Sequence, residues 1–197
     1  MMPGMTKGDV KAAGEASASA VRATLESVEQ TLALGGAMGQ LARPGELIAL
    51  DGELGAGKTQ FVRGMARALL EDHAAVASPT FVMVHEYGSI TTGPATGCAL
   101  VHVDAYRVGN PGELETLGWT GPGGGELAAG AIVVVEWAGR IEPALGKDML
   151  RIRLEHAGDQ RRLVTITPLG GWRDRAQAIR QCLASIGAAL HDEADGV

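Results

Sequence analysis

The sequence predicts an α/β fold, with helices in layers on both faces of one mainly parallel sheet. The apolar run 46–50 leads into a glycine-rich turn and then into a helical pattern, giving the order strand, loop, helix. The continuous apolar run 131–135 is typical of a strand buried on both faces. Residues 150–154 and 163–167 alternate between apolar and polar and flank a Gly-Asp turn, which predicts a C-terminal antiparallel hairpin.

The remaining elements are predicted from the same kinds of helix and strand pattern. Ser27 and Gln30 match a helix-capping pattern, and apolar residues then recur at helical spacing over 28–41. The segments 80–87 and 99–104 are rich in apolar and β-branched residues, so we expect strands there.

Length and composition predict one folded domain. The chain has 197 residues, 46% of them hydrophobic, which is enough for one well-buried core. Residues 1–19 contain few large apolar side chains and are expected to be a disordered leader. We expect the folded domain over 20–172, and an amphipathic helix with a frayed tail over 173–197. The apolar positions of that helix are Ala176, Ile179, Leu183, Ile186 and Leu190.

The bulk properties also exclude several classes of protein. A net charge of -6 argues against an independent DNA- or RNA-binding protein, which usually has a basic surface. Cys98 and Cys182 are too few for a disulfide framework and lack the paired spacing of a zinc site. No apolar run approaches the roughly 18 residues of a membrane span. We therefore expect a soluble cytoplasmic protein with no membrane contact.

Residues 52–59, Gly-Glu-Leu-Gly-Ala-Gly-Lys-Thr, form a Walker A motif between a predicted strand and a predicted helix. Glycines let backbone N–H groups turn toward phosphate oxygens, and the helix N-terminus favours an anion. Lys58 is placed to reach the β- and γ-phosphates, and the Thr59 hydroxyl to bind Mg²⁺. The motif predicts a P-loop NTPase fold and the cofactors ATP and Mg²⁺. The residues expected to contact the nucleotide here are Glu53, Leu54, Gly55, Ala56, Gly57, Lys58, Thr59 and Gln60.

Two acidic residues follow predicted strands directly. Asp104 comes after 99–103, and Glu136 comes after 131–135. A carboxylate at the end of a parallel strand beside a P-loop can hold Mg²⁺ or orient the attacking water, whereas the plainer alternative is a solvated strand end. We expect Lys58, Asp104 and Glu136 to be catalytic, and Thr59, Asp104 and Glu136 to bind the metal; the two acidic roles stay undivided.

Four segments in this order resemble the TsaE family of proteins. They are the Walker A motif, Ser78-Pro-Thr-Phe81, His102-Val-Asp-Ala-Tyr-Arg107 and Glu136-Trp137. The Walker A motif alone is shared by many ATPases and GTPases, but its combination with the other segments is specific. The resemblance spans roughly residues 25 to 170.

The resemblance implies weak ATP hydrolysis within a bacterial complex that makes threonylcarbamoyladenosine in tRNA. TsaD-like and TsaB-like partners would perform the transfer next to the anticodon and contact the tRNA, while ATP turnover resets the complex. Thr80 is implied to lie in a switch-like loop that senses the γ-phosphate, and Asp104 to position metal or water. A lone histidine such as His102 is more often structural than catalytic. Trp137 is expected either as an aromatic residue of the pocket or of an interface, or as part of the core.

Two alternatives remain beside this interpretation. An independent small-molecule kinase would share Lys58 and Thr59, but Arg161 and Arg162 lie in the predicted hairpin rather than in a helical lid. The second alternative is an interaction subunit that is switched by nucleotide binding. It differs from the family interpretation because ATP hydrolysis would be incidental to its function. Measuring whether ATP hydrolysis rises on addition of a partner would separate these hypotheses.

Overall fold

The computed structural model describes residues 20–70, 84–109, 111–116, 118–125 and 127–191. The predicted leader 1–19, the beginning of the predicted strand 80–87 and the Ser78–Phe81 segment lie outside these ranges.

One sheet of eight strands organises the described residues, in the order β3-β4-β5-β2-β6-β7-β1-β8. In chain order the strands are β1 (Val21–Leu25), β2 (Leu47–Asp51), β3 (Val84–Ser89), β4 (Ala99–Asp104), β5 (Ala131–Glu136), β6 (Leu150–His156), β7 (Arg162–Pro168) and β8 (Ala189–His191).

The sheet is mixed rather than mainly parallel. The four central strands β4, β5, β2 and β6 run parallel to one another. The outer pairings β3–β4, β6–β7, β7–β1 and β1–β8 are antiparallel. A parallel return needs a long crossover, whereas only residues 157–161 separate β6 from β7. The prediction of parallel strands therefore holds for the centre of the sheet, where β2 leads into the Walker A segment.

The helices are α1 (Val28–Leu41), α2 (Lys58–Leu69), α3 (Pro111–Thr116), α4 (Glu142–Leu145) and α5 (Ala176–Ser185). The extent of α1 agrees with the predicted 28–41. Its Ser27 hydroxyl accepts a hydrogen bond from the Gln30 N–H at 3.3 Å, a cap that contributes about 1 kcal/mol. The Gln30 side chain in turn accepts from the Glu26 N–H at 2.6 Å. Within the described ranges, no helix is long and apolar enough to cross a membrane.

Two hydrophobic cores lie on opposite faces of the sheet, because alternate residues of each strand point to opposite sides. On one face, Ile48 and Leu50 of β2 pack with side chains of α1, α2 and α5. On the other, Leu47 and Ala49 pack with side chains of α3, α4 and the 3₁₀ turn Ala138–Ile141. The helices thus form layers above and below the sheet.

Two glycines allow α1 and α2 to pack closely. A Cβ at Gly35 would overlap the Phe61 carbonyl oxygen, and one at Gly64 would overlap the Leu32 carbonyl oxygen. Larger residues at either position would push the two helices apart. The contact fixes α2, whose N-terminus bears the Walker A lysine.

The prediction of a helix reaching Leu190 is wrong at its C-terminal end. Helix α5 ends at Ser185, and Gly187 then adopts φ +75°, the left-handed conformation that commonly ends a helix. Residues Ala189–His191 instead form β8, which pairs with β1. Strand β1 was not predicted either, because its partner β7 lies far along the chain and only the folded sheet shows the pairing.

Candidate functional site

Three acidic residues lie at the carboxyl ends of three adjacent parallel strands. We call Asp51 of β2, Asp104 of β4 and Glu136 of β5 the strand-end carboxylates. The register places Asp104 opposite Glu136, and Glu136 opposite Leu50 at the end of β2. Asp104 is 6% exposed and Glu136 only 2%, so neither is the solvated strand end that was the plainer alternative.

The glycine-rich loop between β2 and α2 lies at this same edge of the sheet. Gly52 has φ +143°, and a Cβ there would overlap the Leu154 carbonyl oxygen of β6. Gly57 has φ +106° and caps α2, which begins at Lys58. Glycine adopts these conformations without strain, so the loop turns directly into the helix. The N-terminus of α2, a favourable position for an anion, therefore faces the strand-end carboxylates.

Lys58 is held inside the loop. Its Nζ donates to the Gly52 carbonyl oxygen at 2.7 Å and to the Glu53 carbonyl oxygen at 2.9 Å. It also lies 3.8 Å from the centre of the Trp137 ring, a cation–π contact. Burial lowers the pKa of Lys58, while the strand-end carboxylates oppose that shift. The loop thus holds a desolvated cation within reach of three anions.

Trp137 follows β5 directly, and its ring covers the Lys58 ammonium group of the loop. It has φ +59°, a left-handed conformation that is strained for a bulky side chain. Its ring packs at 5.0 Å from the ring of Tyr106, which follows β4. Strain of this kind persists only when the surroundings impose it, and it is concentrated at functional sites. Trp137 lines the loop cavity and, partly buried, also packs against the core on the α3 side of the sheet.

Both oxygens of Glu136 are engaged. The Thr59 hydroxyl donates to Oε2 at 3.1 Å. On the other side, Nε2 of the fully buried His102 lies 3.0 Å from Oε1. The Tyr87 hydroxyl lies 3.5 Å from Nδ1 of the same imidazole. Burial first, and the Glu136 carboxylate second, raise the pKa of Tyr87, so its hydroxyl keeps its proton near neutral pH.

The oxygen atoms at this site suit a hard divalent cation. Asp104 Oδ1 accepts a hydrogen bond from the Tyr106 N–H at 2.9 Å, which fixes its carboxylate beside that of Glu136. In the part of the chain that is described, no group of three or more His, Cys, Asp and Glu side chains could hold a metal ion alone. Mg²⁺ in nucleotide sites commonly uses one or two protein oxygens together with phosphates and water. Thr59, Glu136 and Asp104 fit that demand.

The β6–β7 hairpin holds the outer side of the loop. His156 Nε2 lies 3.2 Å from the Leu54 carbonyl oxygen. Arg162 donates from Nε to the Ala56 carbonyl oxygen at 3.0 Å and from Nη2 to the Gly55 carbonyl oxygen at 3.1 Å. Three consecutive carbonyl groups of the loop are thus fixed by two side chains. Sequence reasoning missed both residues, since nothing near them in the chain indicates which loop they reach.

A cavity of about 230 Å³ lies at the loop. It is lined by Leu54, Gly55, Gly57, Lys58, Thr59, Gln60, Glu136 and Trp137. Of the other residues expected to bind nucleotide, Ala56 is fully buried, Glu53 lines an adjoining cavity, and Thr80 lies outside the described residues.

The family model named "Threonylcarbamoyl adenosine biosynthesis protein TsaE" matches residues 25–164, well over half of the chain. The chain belongs to the TsaE family. The family match includes the phosphate loop, the strand-end carboxylates, His102 and Trp137. The resemblance inferred from the four sequence segments is therefore confirmed.

Several TsaE relatives are similar over most of their length, and each is named tRNA threonylcarbamoyladenosine biosynthesis protein TsaE. The Streptomyces coelicolor protein is 41% identical over 143 residues, 70% of this chain and 89% of the relative. The Bacillus subtilis protein is 36% identical over 142 residues, 72% of this chain and 82% of the relative. The crystal structure of Bacillus subtilis YdiB superposes with a TM-score of 0.59 at 27% identity, covering 85% of this chain and 95% of YdiB.

The contacts of Arg162 predict a local effect of its removal. Arg162→Ala should speed amide hydrogen exchange in the phosphate loop about tenfold, because two hydrogen bonds to loop carbonyls are lost. The free energy of unfolding should change by less than about 1 kcal/mol, since Arg162 is only half-buried. Hydrogen exchange followed by mass spectrometry measures the loop peptide directly.

Arg161→Ala is the matched control, because Arg161 is the exposed neighbour on the same strand end and its loss changes the charge equally. Loop exchange should stay at the wild-type rate in that variant. Equal acceleration in both variants, or none in Arg162→Ala, would contradict the anchoring role.

Proposed function

We propose that this chain is a P-loop NTPase that binds and slowly hydrolyses ATP as a subunit of the bacterial tRNA threonylcarbamoyladenosine modification system. TsaD-like and TsaB-like proteins are its proposed partners, in the cytoplasm. One observation carries the proposal: the glycine-rich loop and the N-terminus of α2 line one cavity with Glu136, and the sheet register places Asp104 beside Glu136. The names of the relatives give the pathway in which such a site would act.

Lys58 is the proposed ligand of the β- and γ-phosphates. Its ammonium group now contacts two loop carbonyl oxygens, which are weaker partners than phosphate oxygens for a cation. Nucleotide binding would exchange these contacts for phosphate, with the Trp137 ring still covering the ammonium group. The backbone N–H groups of the loop and of the first turn of α2 would bind the remaining phosphate oxygens.

Mg²⁺, when bound with the nucleotide, neutralises charge that develops on the phosphate oxygens. The Thr59 hydroxyl and Glu136 are the residues that would hold it, because they already contact each other at 3.1 Å. Asp104, one strand further from the loop, would orient the attacking water and hold its proton. Glu136 would thus bind the metal and Asp104 would act on the water, two roles that the sequence alone does not divide between them.

Exposed apolar side chains next to the loop support a partner. Leu54, at the tip of the loop, is 83% exposed, and Tyr106, beside Trp137, is 50% exposed. Apolar groups exposed around a site favour contact with another protein. A partner bound there would cover the nucleotide and could complete its surroundings, as proteins that supply a catalytic group in trans do. The net charge of -6 favours contact with tRNA through the partners rather than directly.

The independent kinase is the weaker alternative. Arg162, one of its two candidate lid arginines, is engaged with the carbonyl groups of the phosphate loop and lies in a strand. An arginine fixed in this way cannot close over an acceptor substrate, as a lid would.

The main test is ATP hydrolysis by the purified protein, alone and with TsaB- and TsaD-like partners plus tRNA. Hydrolysis should be slow alone and should rise on addition of the partners. Lys58→Ala should lower the rate at least about 100-fold in both conditions, because it removes a cation from the phosphate site. Lys147→Ala, which loses the same charge at an exposed position, should hydrolyse at the wild-type rate.

Lys58-dependent turnover that ignores the partners would contradict the subunit role and favour an independent enzyme. Absence of nucleotide binding by the wild-type protein would contradict the whole proposal.

The two carboxylates should respond differently to neutralisation. Glu136→Gln should weaken Mg²⁺-dependent ATP binding about tenfold, whereas Asp104→Asn should bind within about twofold of wild type and lose at least about 100-fold in kcat. Calorimetric titration with and without Mg²⁺, combined with steady-state kinetics, separates the two effects. Equal losses in binding and turnover for both variants would refute this division of roles.

A further inference from the structure

Among the described residues, His102 is the one buried histidine that contacts a strand-end carboxylate. It lies in β4, two residues before Asp104 and on the same face of the strand. Its side chain is 0% exposed. A fully buried imidazole needs polar partners, and its nearest is a carboxylate rather than a backbone group.

The geometry gives His102 a definite effect on Glu136. A carboxylate oxygen accepts hydrogen bonds, so Nε2 at 3.0 Å from Oε1 must carry the proton. The Tyr87 hydroxyl, on the neighbouring strand, lies 3.5 Å from the other ring nitrogen. The Thr59 hydroxyl bonds the opposite carboxylate oxygen. His102 therefore sets which way Oε2 points, toward the first turn of α2.

We propose that His102 is a positioning residue that orients Glu136 toward the Mg²⁺–nucleotide complex. This inference rests on the proposed nucleotide site. Partners that orient a metal-binding carboxylate commonly change metal affinity by 10- to 100-fold when removed. Without His102, Oε1 would lose its buried donor, and the carboxylate could rotate away from Thr59.

The alternative is that His102 only fills space in the core. The two roles differ in what they predict for Mg²⁺. A space-filling residue would change stability and would affect nucleotide binding equally with and without Mg²⁺. A positioning residue changes only the extra affinity that Mg²⁺ provides, because His102 reaches the nucleotide site through Glu136.

The test measures ATP affinity by calorimetry in Mg²⁺ and in EDTA. His102→Leu should reduce the gain in affinity due to Mg²⁺ about tenfold and leave binding in EDTA within about twofold of wild type. His102→Gln should keep most of the gain, because its amide nitrogen can occupy the place of Nε2 and donate to Glu136. His102→Asn should lose it, because its amide reaches only the place of Nδ1.

His85→Leu is the matched control, since His85 lies opposite His102 on β3 but is exposed. It should keep the full Mg²⁺ gain. If His102→Leu does not fold, the comparison of Gln with Asn still decides the matter. A full Mg²⁺ gain in His102→Leu, or equal gains in the Gln and Asn variants, would overturn the positioning role alone. A wild-type protein that binds no nucleotide, or gains nothing from Mg²⁺, would overturn the proposed site as well as this inference.

Discussion

The parallel register of β4, β5 and β2 is the constraint on which the candidate site depends. It brings the carboxyl ends of three strands to one edge of the sheet, so that Asp104 and Glu136 lie side by side next to the phosphate loop. A shift of one residue in β5 would turn Glu136 to the other face of the sheet, away from Thr59 and His102. Because the other face is also packed with apolar side chains, such a shift would leave the carboxylate without these polar partners.

The buried charged groups at that edge are stable only because each has polar or charged partners there. Lys58 and Glu136 are both nearly buried, which would be costly for either ion alone. Their cost is offset by hydrogen bonds to loop carbonyls, to Thr59 and to His102, and by the Trp137 ring. The strained backbone of Trp137 is consistent with a site whose geometry is imposed by function rather than by local stability.

Much of this arrangement could be predicted from sequence, because it rests on local patterns. The Walker A motif and the two apolar strands ending in Asp104 and Glu136 each follow from a few neighbouring residues. The rest depends on pairs distant in the chain. Neither strand β1 nor the anchoring of the loop by Arg162 can be predicted from neighbouring residues. Each depends on a contact with a segment that is distant in the chain. The sequence indicates only a structural role for His102, and the register of β4 against β5 is needed to show that its partner is Glu136.

The most direct test of the nucleotide site is a crystal structure with a non-hydrolysable ATP analogue and Mn²⁺, located by its anomalous scattering. We expect phosphates at the N-terminus of α2, with Lys58 moved from the loop carbonyls onto them. We also expect Mn²⁺ beside Thr59 and Glu136, with His102 still bonded to the far oxygen of that carboxylate. Phosphates bound away from the loop, or a metal site that excludes both Thr59 and Glu136, would contradict the proposed nucleotide site.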